Sequence, residues 1–438
     1  MLGRRGKFDR SLELRCLQWN FNSTGEKEDP MLRKTLSRKR TLLLAVVAVV
    51  CAPLRPFAQQ ASPWVGTWAN GPDAFPEPSG SQTAAATTFR NVVYTSIAGT
   101  GLRIKLTNEL GLDPLTIGGA SIASNAGGGA IMAGTALPVT FAGQPSVTLP
   151  PGTAVISDPV AMTIPAFSSL SVDVYVPQQT VRTWTFHQVA SSTNYQAPGD
   201  QLGATTLSGS TTSTSWYLLK TIDVEAPGAV AVVTIGDSIT DGQGSTQDAN
   251  HRWPDYLAAR LATAGGTSPI AVLNAGIAGN HILNSSANGG LNTLARLDRD
   301  ALTQSGAKYV IIFEGINDIF KPTTPPATVA QITAGLAQVV ARGHELGLTV
   351  YGATITPTDR LSSAEQQMRT AVNQWIRTSG VYDGYFDFDL VVQNPANPIQ
   401  LLRAYDSGDH LHPNDAGYSA MASSINLALF GGSSANVR

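Results

Sequence analysis

The 438-residue chain carries a formal charge of −2, with 42% hydrophobic and 14% charged residues. That length suits two cores or more, and the near-neutral balance gives a nucleic acid or an anionic membrane nothing to grip. Only Cys16 and Cys51 are present, both ahead of the globular part, which excludes a disulfide framework, a cysteine zinc site and a thiol nucleophile from the folded region.

Residues 1–30 show no usable periodicity. From Met31 the layout is that of a secretory signal peptide. Arg33, Lys34, Arg38, Lys39 and Arg40 form a basic cluster, Thr41–Ala52 is apolar but too short to span a bilayer as a helix, and small residues Ala58 and Ala61 follow. The expectations are translation from Met31, a mature N-terminus between Ala58 and Ser62, and a secreted or periplasmic product without stable membrane insertion. Val50 ahead of Cys51 is not the small residue a lipoprotein signal wants, and the Ser–Arg–Lys–Arg run at 37–40 lacks the paired arginines of a twin-arginine signal.

Residues 62–227 have a period of two. Leu102–Leu106 and Leu170–Val176 alternate apolar with polar residues, and further β-rich runs lie at Phe89–Ile97, Ala136–Phe141, Val181–Val189 and Ser215–Val224. Gly, Pro and Asn clusters separate them, so a β-sandwich or jelly-roll is expected. Trp184, Tyr195, Trp216 and Tyr217 read first as core fillers and second as platforms for sugars. Lys105, Lys220 and the arginines read as solvated charges.

From residue 228 to 438 the rhythm becomes strand, helix, strand. Strands are expected at Val230–Ile235, Ile270–Asn274, Tyr309–Phe313, Thr349–Ala353 and Tyr385–Phe388. Helices are expected at Trp253–Ala264, Leu291–Thr303, Thr328–Leu346, Ser362–Arg377 and Pro413–Leu429. Such alternation implies a parallel sheet covered on both faces, and right-handed crossovers bring all strand carboxyl ends to one edge.

Four segments follow strands of this second part and carry polar residues that packing does not need: Gly236–Asp–Ser–Ile–Thr, Asn274–Ala–Gly–Ile–Ala–Gly–Asn280, Glu314–Gly–Ile–Asn–Asp318 and Asp409–His–Leu–His412. The first, alone, could merely cap a helix through Asp237, Ser238 or Thr240. Together they supply an acyl-transfer site. Ser238 is the nucleophile, His412 its base and Asp409 the carboxylate that fixes the imidazole tautomer. Donors for an oxyanion come from the Ser238 and Gly279 N–H groups and the Asn317 amide. A metal reading of Asp409, His410 and His412 lacks support from any other spaced histidine. A sugar-binding module without catalysis is the other competing class; it would have no use for the Ser, His, Asp and Asn set.

On these residues, the region from about 229 to 430 resembles the SGNH hydrolases, or GDSL esterases and lipases. The likeness rests on Gly236–Asp–Ser–Ile, Gly279, Gly315–Ile–Asn317–Asp and Asp409–His–Leu–His412. It implies a flavodoxin-like fold of five parallel strands, no cofactor and no metal, and the catalytic and oxyanion roles just given. Ile239 replaces the more frequent leucine, and Thr240 stands where the Gly–x–Ser–x–Gly elbow of larger α/β-hydrolases needs glycine. The layout with Arg252–Trp–Pro254 is similar to a secreted bacterial branch that includes carbohydrate esterases. The expected substrate is a small ester or an acylated polysaccharide with a short acyl group, since no long apolar stretch looks like a lid; a lipase or arylesterase of the same family is the alternative.

Overall fold

The computed structural model describes residues 64–74, 82–264, 268–320 and 325–431. The expectations for translation start, signal peptide and cleavage site fall outside them. The described residues all belong to one compact unit.

The β-branched, alternating segments of the leading half pair into antiparallel sheets. A four-stranded sheet runs Trp64–Ala69, Leu219–Glu225, Leu102–Asn108, Thr153–Ile156. A larger sheet, whose Phe89, Ile122 and Val172 belong to the same core cluster as Leu102 and Ile222, is built around Thr87–Tyr94, Ser169–Val176 and Gly119–Gly127. Ser169–Val176 pairs on both sides; its Leu170, Val172, Val174 and Val176 are buried on one face, and Ser171 and Asp173 of the other face are buried as well. Val181–Val189 is not one strand: Gln179–Val181 and Thr185–His187 pair with different partners.

In the second half five parallel strands, β1 (Val230–Gly236), β2 (Ile270–Gly276), β3 (Ala307–Phe313), β4 (Thr349–Ala353) and β5 (Gly384–Phe386), lie in the order 2-1-3-4-5. This is the flavodoxin-like arrangement, whose strand order reverses between β1 and β3. Strand faces sort the core. Ala231, Val233, Ile235, Leu273, Val310 and Ile312 pack with the helices Val329–Glu345 and Ser363–Thr378 on one side. Val232, Val272, Ile311 and Phe313 pack with Trp253–Thr263 and Asp415–Ser424 on the other.

Three boundaries differ from expectation, each for a local reason. The strand expected to reach Phe388 stops at Phe386 because Asp387 caps a new helix, Phe388–Val392, through Leu390 N–H. The Leu291–Thr303 helix begins at Thr293, capped by Asn292, and ends in a π-helical turn, Asp298–Leu302. The last helix stops at Ser424, and Leu427–Phe430 is a separate 3₁₀ turn.

The two halves share a core. The first cluster runs without interruption from Val65, Trp68 and Ile222 into Leu273, Ile312 and Leu336. Gly66 donates its N–H to Ser305 O at 2.9 Å, and a Cβ on Gly66 would come within 2.7 Å of Leu273 Cδ1, so glycine permits the close approach. Lys220, expected in solvent, is 2% exposed; its Nζ contacts Glu109 at 2.5 Å and Asp300 at 3.7 Å across the same seam. Burial pulls its pKa down, with Asp300 and Glu109 opposing.

Candidate active site

Each expected site residue sits at the carboxyl edge of the parallel sheet or in a loop reaching it. β1 ends at Gly236, where a Cβ would lie 2.3 Å from Phe313 O and from Thr240 Oγ1. Any side chain there would push β3 from the turn, which is why the motif opens with glycine. Asp237 then caps the short helix Ser238–Asp241 by accepting from Ile239 N–H at 2.9 Å. The two neighbours therefore have different partners: Asp237 caps the helix and the Ser238 side chain turns toward His412. As the first helical residue, Ser238 has an N–H without an intrahelical acceptor.

Ser238 Oγ lies 2.8 Å from His412 Nε2, and His412 Nδ1 lies 2.5 Å from Asp409 Oδ2. Ser238 and His412 are buried, whereas the Asp409 side chain is 42% exposed. Burial alone would raise the Asp409 pKa. The N–H groups of His412 and Leu411 and the His412 ring outweigh it and take the carboxyl down to about 2. Such a carboxylate stays ionised and holds the Nδ1 proton, leaving Nε2 to accept from the serine. Both ring nitrogens are thus engaged within the triad. His410 points elsewhere, 62% exposed and 3.2 Å from Asp406, with its backbone at φ 65°. Among the described residues no three His, Cys, Asp or Glu side chains gather as a metal site, and no helix is long and apolar enough to cross a membrane.

The loop after β2 shows how one donor is set aside. Gly276 N–H bonds Asn274 Oδ1 at 2.9 Å, Ile277 N–H bonds Gly236 O at 3.0 Å, and Ala278 N–H bonds Asp241 Oδ2 at 3.0 Å. Asn280 N–H bonds Ile277 O at 3.1 Å. Among the described residues only the Gly279 N–H of this run lacks an acceptor. Gly279 has φ 76°, a left-handed conformation that glycine adopts without strain. Asn317, on the helix Ile316–Phe320 after β3, donates Nδ2–H to Asn280 O at 2.9 Å, and its second amide hydrogen remains.

Residues beneath the site were not legible in the sequence. Arg296, fully buried, donates to Ala275 O at 2.6 Å, Gly236 O at 2.9 Å and Asn280 Oδ1 at 3.0 Å, so one guanidinium ties the ends of β1 and β2 to the loop. Asp318 holds Ile282 N–H at 2.8 Å and Leu283 N–H at 3.1 Å. Acids crowd this base: burial pushes Asp237 up to about 7, reinforced by Asp318 and Asp241, and pushes Glu314 well above the carboxylate range. The sequence carries no signal for Arg296: its neighbours at helical spacing, Asn292, Thr293, Arg299 and Asp300, are all polar, so it reads as part of a solvated face.

The aromatic residues of the leading half mostly fill space. Trp216 is 2% exposed and packs edge-on against Trp68 at 5.0 Å, Tyr217 stacks on Phe89 at 4.7 Å, and Trp184 meets Phe89 at 5.6 Å. Tyr195 and Trp216 line a cavity of about 260 Å³, with Asp248, Asn250 and Arg252.

Residues 234–420 match the model of the GDSL-like lipase/acylhydrolase family, and that segment is a domain of this family. Solved structures similar to the chain include an aryl esterase from M. smegmatis, 17% identical over 44% of this chain and 95% of that one, with a TM-score of 0.35. Axe2, an acetylxylan esterase from Geobacillus stearothermophilus, is 20% identical over 44% and 91%, with a TM-score of 0.33. A member of the lipolytic G-D-S-L family from Veillonella parvula is 17% identical over 46% and 96%, with a TM-score of 0.32. No curated protein matches the chain.

Proposed function

Taking residues 234–420 as a GDSL-like acylhydrolase domain, we propose that the protein is an exported serine esterase of short-chain carboxylic esters. The observation that carries this reading is the hydrogen-bonded chain Ser238–His412–Asp409 at 2.8 and 2.5 Å. Ser238 Oγ attacks the ester carbonyl while His412 Nε2 takes its proton, and the developing oxyanion is met by the N–H groups of Ser238 and Gly279 and the Asn317 amide. His412 then gives the proton to the departing alcohol, leaving an acyl-Ser238. Water repeats the sequence, with His412 as base, and releases the acid. Asp409 stays ionised throughout and stabilises the imidazolium.

Acetyl groups on plant polysaccharides are the candidate natural substrates, a reading that rests on the resemblance of the two-part layout to secreted carbohydrate esterases. Export rests on the basic and apolar run after Met31. The test is a chain-length series of aryl esters beside acetylated xylan and pectin, scored for released acid, with an organophosphonate to label Ser238. Turnover falling with acyl length, unaffected by EDTA and abolished in Ser238→Ala, is the expected result. Glycan retention without ester turnover would replace this reading with a binding module, and activity lost to EDTA and restored by zinc would revive a metal mechanism.

A further inference from the structure

The antiparallel half sends one titratable side chain into the base of the site. His187, in the strand Thr185–His187, is 2% exposed. Its Nδ1 lies 2.8 Å from Gly71 O, and its Nε2 lies 3.1 Å from Val189 O and 2.9 Å from Asp241 Oδ1. Carbonyl oxygens only accept, so both ring nitrogens must donate, and the ring is an imidazolium against the Asp241 carboxylate. Burial opposes that charge, while Asp241 and the two carbonyls raise the His187 pKa enough to overcome it.

Asp241 is the last residue of the helix that Ser238 begins, and its other oxygen accepts the Ala278 N–H at 3.0 Å. Ala278 immediately precedes Gly279. The chain of contacts therefore runs from the antiparallel half, through one buried ion pair, to the peptide unit that presents the unpaired N–H. Nothing in catalysis as proposed above uses either member of the pair.

We propose that His187 is a positioning residue for ester hydrolysis: it fixes Asp241, which fixes the Ala278–Gly279 peptide and so aims the Gly279 N–H at the oxyanion. The inference rests on the esterase reading of the same site. With His187 neutralised or removed, Asp241 would be left as a buried carboxylate beside Asp237. It would be free to turn away, and its charge-assisted hold on Ala278 would weaken. An oxyanion donor that is displaced rather than deleted acts mainly in the transition state, so the loss belongs to kcat.

The experiment compares the full chain with His187→Phe, which fills the slot without donors, and His187→Gln, whose amide can still reach Asp241. The measurements are kcat and KM on an aryl acetate, labelling of Ser238 by an organophosphonate, and Tm on the same samples. The expected result is a kcat loss on the order of 10- to 100-fold in His187→Phe with KM within about twofold, and slower labelling. His187→Gln should recover part of the kcat. If His187→Phe does not fold, His187→Gln and Asp241→Asn carry the test, each with lowered kcat at unchanged KM. Normal kcat in a folded variant, or a loss confined to KM or proportional to unfolded protein, overturns the proposal and leaves the esterase reading standing. If the unmodified protein hydrolyses no ester and Ser238 takes no phosphonate, both readings fall together.

Discussion

Replacing Asn317 by alanine removes two different things, and their sizes separate them. In the resting protein one amide hydrogen bonds Asn280 O at 2.9 Å, inside a region where Asn317 is 4% exposed. Losing that bond costs about 1 kcal/mol, with a further 1–3 kcal/mol if the Asn280 carbonyl finds no new partner. In a chain of this size that lowers Tm by a few degrees at most. The second hydrogen is the one proposed to meet the oxyanion. Deleting such a donor costs about 2.7–4 kcal/mol in the transition state, or 10²–10³ in kcat. The assay is steady-state hydrolysis of an aryl acetate below the melting range, with Tm read on the same sample. A kcat lowered by two to three orders of magnitude, with KM nearly constant and the protein fully folded, is expected. A near-normal kcat would mean that Asn317 serves only to tie the loop after β2 to the helix after β3, and the oxyanion assignment would be wrong.

Asp409→Asn places an amide N–H against His412 Nδ1, reverses the tautomer and leaves Nε2 unable to take the serine proton; a kcat loss of about 10⁴ is expected in a steady-state assay, as for the same change in another serine triad. Asp237 has its carboxyl pushed up to about 7, so the folded state holds this proton more tightly than the unfolded chain. Its contribution is complete below about pH 4 and is lost as pH rises toward 7, by up to about 4 kcal/mol. Urea unfolding at pH 5 and pH 8 should therefore show a flatter pH dependence for Asp237→Asn than for the unmodified protein, and equal slopes would contradict the shift. Residues 227–438 alone should be insoluble or molten, checked by near-ultraviolet circular dichroism, because Leu273, Ile277 and Asp300 would lose Gly66, Gly71 and Lys220.

Much of the second half was legible because its physics is local. Strands buried on both faces read as apolar runs, and polar residues clustered after them stand out as unneeded for packing. Ser238, His412 and Asp409 are hydrogen-bonded as the segments suggested, since a three-residue spacing on a turn lets one side chain reach the other. What stayed hidden depends on distant pairing. Lys220 and Arg296 look like any surface cation until Glu109, Asp300 and three carbonyl groups are brought to them from elsewhere. The same holds for His187, whose partner Asp241 lies 54 residues away in the other half. Asp387 was misjudged for a smaller reason, because an aspartate among aromatic residues caps a helix as readily as it ends a strand.

The seam where Gly66 lets Leu273 approach has a bearing on how such a chain can change over generations. A catalytic half with a closed surface can be inherited as a cassette and joined to any neighbour by a linker. Here a recombination that exchanged the leading half would present Leu273, Ile277 and Arg296 with unfamiliar surfaces, and the product would be removed by misfolding before its activity could be tested. Variation is steered instead toward loops such as 243–251, where a substitution disturbs neither core. New substrate ranges in this lineage should therefore be recorded in loop sequences, while the residues of the seam drift only in pairs.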